Sequence, residues 1–264
     1  MNIKKPFNII YKNRNVLMST AMVDVKARFA GSLLGVFWLL LYPILLLTAY
    51  SFVYIYVFKA RFGEMNSSTY VLLIFAGLIP FLGFTESIAS TIVSVTSNSS
   101  LIKNTLFPID IIPVKAVICS QTTQAVGLVL LLIASTINGH GSKYIFLIFV
   151  VWIFQIMFSI GLGWILSCLN VYLKDLQNIV NLINLFLMMV SPIAYTIDMV
   201  PEGLRPFLAW NPLYYFIAAY QDCIIQGRFP QNNVLWILMI FSFLIFIIGY
   251  WFFCKMKEVF IDNI

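Results

Sequence analysis

Residues 144–169 are YIFLIFVVWIFQIMFSIGLGWILSCL, a run of 26 residues without a charged side chain. A helix that crosses the hydrocarbon core of a bilayer needs about 20 mainly apolar residues. The apolar residues are continuous rather than alternating, which favours a helix over a strand of a membrane barrel. The stretch therefore predicts a membrane-spanning α-helix.

Five further runs have the same character and predict an all-α integral membrane protein with six transmembrane helices in a single domain, residues 1–264. The composition agrees, because 61% of the residues are hydrophobic and 10% are charged, against about 45–50% and about 25% in soluble domains. A soluble domain of this size could not bury such an excess. The predicted spans are residues 33–58, 70–95, 111–137, 144–169, 179–195 and 234–254.

The positions of lysine and arginine predict the orientation. With the N-terminus in the cytosol, 11 of the 16 cations fall in cytosolic segments and 5 in outer segments. This bias matches the positive-inside rule, so we expect both termini in the cytosol and the chain in a bacterial inner (plasma) membrane. The net charge of +6 is then explained by topology and by anionic membrane lipids, and no nucleic-acid partner is expected.

The segment 198–227 is too apolar for a plain loop, yet Pro201 and Pro212 interrupt it. It predicts two short re-entrant helices on the outer side, between spans five and six and covered by protein. The alternative is a seventh span, which would place Lys255 and Lys257 outside the cell.

Residues 12–30 predict an amphipathic helix that lies flat in the cytosolic interface. Met18 and Met22 recur on one face, while Asp24 and Arg28 on another face are expected to form an i,i+4 ion pair. The alternative is a plain cytosolic lead-in to the first span. The interface-helix residues are Asp24, Lys26 and Arg28.

Glu86 lies inside the second apolar run, where an unpaired carboxylate is costly. It is expected to face other helices and to pair with Lys115, Lys26 or Arg28. A structural ion pair is the expected role, and a proton relay is the alternative.

Aromatic residues are concentrated in the first span, which begins with the pattern GSLLG at residues 31–35. That pattern permits either close helix approach or a flexible elbow. Interfacial anchoring explains some of the aromatic residues, but a phenol hydroxyl near mid-span needs a polar partner. Because sugar rings stack on aromatic faces, a tyrosine-lined path would suit a glycan; ordinary packing is the alternative. The candidate path residues are Phe37, Trp38, Tyr42, Tyr50, Tyr54 and Tyr195.

The motifs of soluble and metal-dependent enzymes are missing from the sequence. The segment GHGSK at residues 139–143 lacks the spacing of a phosphate-binding loop, and His140 is the only histidine, which argues against a metal site. We therefore expect no catalytic residue and no metal ligand on this chain.

Several segments, in their order and spacing, resemble the permease family of type-2 ABC transporters that export O-antigen, teichoic acid, capsule and other lipid-linked polysaccharides. The resemblance covers about residues 20–260. Lys174 is one departure, since the family usually has arginine there and lysine lacks the bidentate fork. The segments are DVKARFAGSLLG (24–35), FAGLIPF (75–81), NSSLIK (98–103), NVYLKD (170–175), SPI (191–193), VP (200–201) and NPL (211–213).

The resemblance implies the partners. Two copies of the chain would pair, and two separate ATP-binding-cassette subunits would dock beneath them, so that ATP and Mg²⁺ bind to the partner and no cofactor binds here. Residues 97–107 would form the coupling helix, with bare connections as the alternative, and spans one and five would line the path of the lipid-linked polysaccharide. The docking residues would be Leu101, Lys103, Asn104, Leu106, Lys174 and Asp175, and the outer gate residues Pro201, Arg205, Pro212, Tyr214 and Tyr215.

Two alternatives remain for the function. One is a type-2 ABC permease for a drug or a small lipid. The other is a membrane-embedded glycosyl- or acyltransferase, for which clustered acids or a catalytic histidine would be expected.

Overall fold

The computed structural model describes residues 4–53, 66–104, 107–195, 200–231 and 233–261. Within these ranges the chain forms α-helices and short 3-10 turns, and no β-strand occurs. This is the all-α architecture that the apolar runs predict. The helices are α1 (Lys5–Lys12), α2 (Arg14–Arg28), α3 (Trp38–Ser51), α4 (Ser67–Ile92), α5 (Ser94–Ser97), α6 (Ser99–Asn104), α7 (Ile112–Ile137), α8 (Leu147–Tyr172), α9 (Leu176–Val190), α10 (Arg205–Leu208), α11 (Pro212–Ile224) and α12 (Val234–Ile261).

Four helical segments in the described part of the chain are long and apolar enough to cross a membrane. The shortest has 24 residues, which corresponds to about 36 Å at 1.5 Å per residue and exceeds the hydrocarbon thickness of about 30 Å. They match the second, third, fourth and sixth predicted spans to within a few residues, except that α12 continues beyond residue 254. The segments are Ser67–Ile92, Ile109–Ile137, Lys143–Tyr172 and Val234–Lys257.

The first and fifth predicted spans contain shorter apolar helices, Gly35–Ser51 and Leu176–Val190. The latter has 15 residues and rises only about 22 Å. The predicted end at Tyr195 is wrong: the helix stops at Val190 because the residue before Pro192 is driven to an extended conformation. Residues 54–58 lie outside the described residues, so the six-span count stays a prediction.

Helix α2 lies within the predicted helix at residues 12–30, and α1 is a further helix that precedes it. Leu17 and Ala21 of α2 are buried against the bundle, whereas Met18 and Met22 are 57% and 59% exposed. The apolar methionine face therefore points away from the protein, as expected for a helix at a lipid interface.

Helix α4 lies at the centre of the bundle, and every residue from Tyr70 to Phe81 is buried. A helix that is apolar on all faces is expected in such a position. Gly77 lets other segments approach it, because a Cβ there would lie 3.0 Å from the Cα of Ile193 and 3.1 Å from a methyl group of Ile217. The end of the α9 segment and helix α11 therefore both pack against the middle of α4.

Two sets of contacts define the ends of the bundle. At one end Lys257 of α12 binds the carboxylate of Asp110 at 3.0 Å, just before α7. At the other end Thr69 of α4 contacts the ring of His140 at 3.1 Å, and Ser142 donates to the carbonyl of Gly227 at 3.3 Å. We call these the α2 end and the α11 end, because α2 packs at the first and α11 terminates at the second.

Candidate substrate cavity

A cavity of about 870 Å³ lies beside α4, between α3, α7 and α9. It follows α4 from Phe75 to Ala89, which is about 21 Å of helix. Its volume is in the usual range for ligand sites, about 300–1,000 Å³. The lining residues are Arg28, Phe29, Ser32, Trp38, Leu39, Tyr42, Pro43, Leu46, Phe75, Ile79, Phe81, Leu82, Gly83, Thr85, Glu86, Ala89, Thr123, Gln124, Gly127, Asn181, Asn184, Leu185 and Met188.

Arg28 and Glu86 are the charged residues among those lining the cavity, and they form an ion pair at its α2 end. Of the three cations that the sequence offered as partners of Glu86, the structure selects Arg28. Each of the two side chains is 33% exposed. The pair joins α2 to α4 and leaves a charged, partly open site in a mainly apolar wall.

A second ion pair joins Asp24 of α2 to Lys115 of α7, with 2.7 Å between Nζ and Oδ2. The predicted ion pair between Asp24 and Arg28 is therefore wrong, because each side chain binds a different neighbouring helix. Their i,i+4 spacing places both on the protein-facing side of α2, where Lys115 of α7 and Glu86 of α4 lie within reach. Lys26 is exposed on the same helix.

Two of the predicted path residues, Trp38 and Tyr42, line the cavity. The indole N–H of Trp38 donates to the hydroxyl of Ser32 at 3.0 Å, which fixes the indole beside the α2 end. Tyr42 follows one helical turn later and is 49% exposed. The two rings form an aromatic wall next to the Arg28–Glu86 pair.

The other predicted path residues do not line this cavity. The ring of Tyr50 packs edge-on against Phe75, with 5.9 Å between ring centroids. Phe37 is exposed, and the hydroxyl of Tyr195 donates to a backbone carbonyl at the end of α9. Tyr54 lies outside the described residues.

Helix α9 contributes two amides that the sequence analysis missed. Asn181 and Asn184 line the cavity, and neither has a hydrogen-bond partner within the described part of the chain. The sequence does contain a pattern that predicts a polar face here. Gln177, Asn181 and Asn184 recur at i, i+4 and i+7 in a mainly apolar segment and so share one face of a helix.

A buried network of polar side chains, also missed, connects the cavity to α11. Gln124 of α7 lines the cavity and exchanges hydrogen bonds with Gln155 of α8 at 2.9 and 3.1 Å. Gln155 also accepts from the hydroxyl of Tyr220 at 3.0 Å and donates to the carbonyl of Pro80 at 2.8 Å. Each of the three side chains is at most 2% exposed, so the network links four helices away from solvent.

Helix α11 is held inside the bundle at several points. The side chain of Asn211 caps its first turn and donates to the hydroxyl of Ser191 at 2.9 Å. Further along, Gln221 donates to the carbonyl of Pro192 at 2.8 Å. With 13 residues, α11 is about 20 Å long, too short to cross the hydrocarbon core.

The predicted gate residues occupy different positions around α11. Pro212 is its first residue and Tyr214 is buried. Pro201 is exposed, and Arg205 and Tyr215 donate to backbone carbonyls of the same segment. These residues hold the shape of the segment, and none of them lines the cavity.

The predicted docking residues are only partly described. The backbone of α6, Ser99–Asn104, is helical, but the side chains of Leu101, Lys103 and Asn104 and the whole of Leu106 lie outside the described part. Lys174 and Asp175 are exposed in the turn between α8 and α9.

The comparison with known families identifies the chain's family. The profile of the ABC-2 type transporter family matches residues 17–225. The chain belongs to the ABC-2 type transporter family. It is therefore a multi-pass membrane subunit of a transporter, working with an ATP-binding-cassette ATPase, and the transferase alternative is not retained.

Similar proteins include three named transport proteins. The O-antigen export system permease protein RfbA of Klebsiella pneumoniae is 26% identical over 99% of each chain. The RfbA protein of Myxococcus xanthus is 28% identical over 86% of each chain. The polysialic acid transport protein KpsM of Escherichia coli is 23% identical over 86% of this chain and 87% of its own.

The buried network predicts a stability effect. Replacement of Gln155 by Leu would leave the Pro80 carbonyl, Gln124 and Tyr220 short of partners, and we expect a loss of about 1–3 kcal/mol. Tyr220→Phe removes one hydroxyl, and about 1 kcal/mol is expected. Thermal unfolding of the purified protein in detergent measures both changes.

The matched control is Gln177→Leu, which replaces an exposed glutamine of α9. The variant should unfold at the wild-type temperature. Equal unfolding temperatures for Gln155→Leu and Gln177→Leu would contradict a stabilising role of the network.

Proposed function

We propose that this chain is the permease subunit of an ABC exporter that moves a lipid-linked polysaccharide of the O-antigen type out of the cytosol. The strongest support is that similarity to an O-antigen export permease extends over 99% of both chains. A similar protein named for polysialic acid transport also handles a polysaccharide. The cavity has the features that such a substrate requires: apolar walls, aromatic rings, amides and one cation.

The membrane in question is the bacterial inner (plasma) membrane, with the α2 end toward the cytosol and both termini on that side. The positive-inside bias of the sequence supports this orientation. The exposed methionine face of α2 would contact lipid, and the exposed Lys26 would contact anionic headgroups. Helices α3 and α9 would complete the first and fifth of six spans.

The working assembly comprises two copies of this chain and two ATPase subunits, which bind ATP and Mg²⁺. Helix α6 acts as the coupling helix, because it is a short helix in the cytosolic connection between α4 and α7. The exposed turn with Lys174 and Asp175 supplies a second contact. Nearby contacts, such as the ion pair between Lys257 and Asp110, would transmit a movement of α6 to α7 and α12.

The cavity receives the substrate near the cytosolic interface, beside Trp38 and Tyr42. Sugar rings stack on the aromatic faces, while the apolar wall suits the lipid part. The short helices α10 and α11 close the outer side. Export would require α11 to move, since it fills the α11 end of the bundle.

The main rival is an ABC-2 permease for a drug or small lipid. A strain that lacks the gene distinguishes the two readings. Loss of the surface polysaccharide, with lipid-linked polymer retained inside the cell and surface display restored by the wild-type gene, is the expected result. An unchanged surface glycan profile would refute the proposal, and deletion of the partner ATPase should reproduce the phenotype.

If α6 is the coupling helix, a change in α6 should abolish export without impairing insertion of the chain into the membrane. Simultaneous replacement of Leu101 and Lys103 by Ala should leave membrane insertion normal, weaken ATPase association and abolish export, because the coupling helix loses its apolar anchor and its cation. Co-purification of the ATPase and the surface glycan profile measure these effects. Lys143→Ala with Phe146→Ala, at the α11 end, is the control pair; full export by the Leu101/Lys103 variant would disprove coupling by α6.

The cavity assignment predicts different effects for two tyrosines of α3. Tyr42→Ala removes a ring from the cavity wall and should slow glycan export several-fold at normal protein level. Tyr50→Ala removes a ring that packs on Phe75, so it should lower stability instead. Export rates normalised to membrane-inserted protein provide the comparison, and an unchanged rate for Tyr42→Ala would return that residue to a packing role.

A further inference from the structure

Arg28 has hydrogen-bonding capacity that the ion pair does not use. A guanidinium carries five N–H donors on three nitrogens, but only Nη1 of Arg28 contacts Glu86. Nε and Nη2 have no partner among the residues that the structure describes. A one-third exposed guanidinium with unused donors at the end of a cavity is equipped to bind an acceptor group from a ligand.

The position of Arg28 does not depend on that pair alone. The second ion pair, Asp24 with Lys115, fixes the same helix one turn earlier and is not part of the cavity wall. The buried Ala21 adds a contact, since its carbonyl accepts from the thiol of Cys119 at 3.4 Å. Arg28 is therefore held at the cavity by the packing of α2 as a whole.

The unpartnered amides of Asn181 and Asn184 line the same cavity from α9. The cavity thus combines three kinds of group. They are the Arg28 cation, the Trp38 ring together with the two unpartnered amides, and apolar residues that include Leu39 and Leu46 of α3. These are the chemistries present in a phosphate-linked glycolipid, in which a phosphate joins a hydrocarbon chain to a sugar.

We propose that Arg28 binds the phosphate that joins the lipid to the glycan, and that Asn181 and Asn184 hydrogen-bond the sugar next to it. This assignment rests on the proposed function. Guanidinium matches phosphate oxygens with two parallel hydrogen bonds. Glu86 orients the guanidinium and offsets its charge, so that the phosphate binds and is also released, as a transport site requires.

Glu86 and Arg28 provide the decisive variants. Arg28→Ala with Glu86→Gln removes both charges, so no unpaired ion remains to disturb folding. Glu86→Gln alone keeps Arg28 and removes the competing carboxylate. If the pair had only a structural role, both variants would bind phosphate as the wild type does. The proposal predicts instead that the double variant binds phosphate more weakly and that Glu86→Gln binds it more tightly.

The experiment is a titration of the purified complex of this chain with its ATPase in nanodiscs of phosphatidylcholine. The probes are farnesyl diphosphate and farnesol, and binding is followed by tryptophan fluorescence. Wild type should bind the diphosphate at least about tenfold more tightly than the alcohol. The double variant should lose this preference, Glu86→Gln should strengthen it, and Lys26→Ala, an exposed cation of α2 outside the cavity, should keep it.

The source of the phosphate is tested with dihexanoyl phosphatidylglycerol. Weaker binding than farnesyl diphosphate supports a substrate site, whereas equal binding would make Arg28 a general phospholipid site and overturn the assignment. Retention of the diphosphate preference by the double variant would also overturn it. In either case the surface glycan profile of the deletion strain still decides the proposed function separately.

The two amides have their own test. Asn181→Ala with Asn184→Ala should weaken binding of a glycosylated farnesyl diphosphate several-fold but leave the unglycosylated diphosphate unaffected. Asn178→Ala is the control, because this exposed asparagine of α9 does not line the cavity. Equal weakening for both probes, or for neither, would remove the amides from sugar recognition.

Discussion

Hydrocarbon offers no hydrogen-bond partners, and this constraint determines where the polar side chains of the bundle lie. Gln124 and Gln155 satisfy each other between α7 and α8, and Glu86 takes a cation from α2. Lipid tails are as apolar as a leucine side chain, so burying leucine between two helices gains little over leaving it in lipid. Each of these polar contacts therefore joins its helices more specifically than apolar packing alone would. The polar contacts therefore add specificity to the packing of α2, α4, α7 and α8.

The sequence predicts the helices better than their ends. The run at residues 144–169 is sufficient for a long helix because continuous apolar character leaves no alternative in a bilayer. Hydropathy predicts the end of the fifth span too late, since it continues to Tyr195 while the backbone already turns at Pro192. Local backbone sterics, not hydropathy, end that helix.

The partners of charged and amide side chains were harder to predict. Helical spacing suggested that Asp24 would pair with Arg28, but each binds a residue more than 50 positions away in the chain. Such contacts depend on how α2 crosses α4 and α7. The residues of α2 alone do not determine this crossing. The aromatic residues of α3 show the same limit, because the rotation of the helix determines whether a ring lines the cavity, as that of Tyr42 does, or packs on a neighbouring ring, as that of Tyr50 does.

The cavity and α11 are connected through Gln124. Its side chain lines the cavity and also belongs to the network that holds Tyr220 of α11. Gly83 makes this arrangement possible, because a Cβ at that position would overlap the side chain of Gln124. A movement of α11 that separates Tyr220 from Gln155 must therefore break a hydrogen bond of the network in which the cavity-wall residue Gln124 takes part.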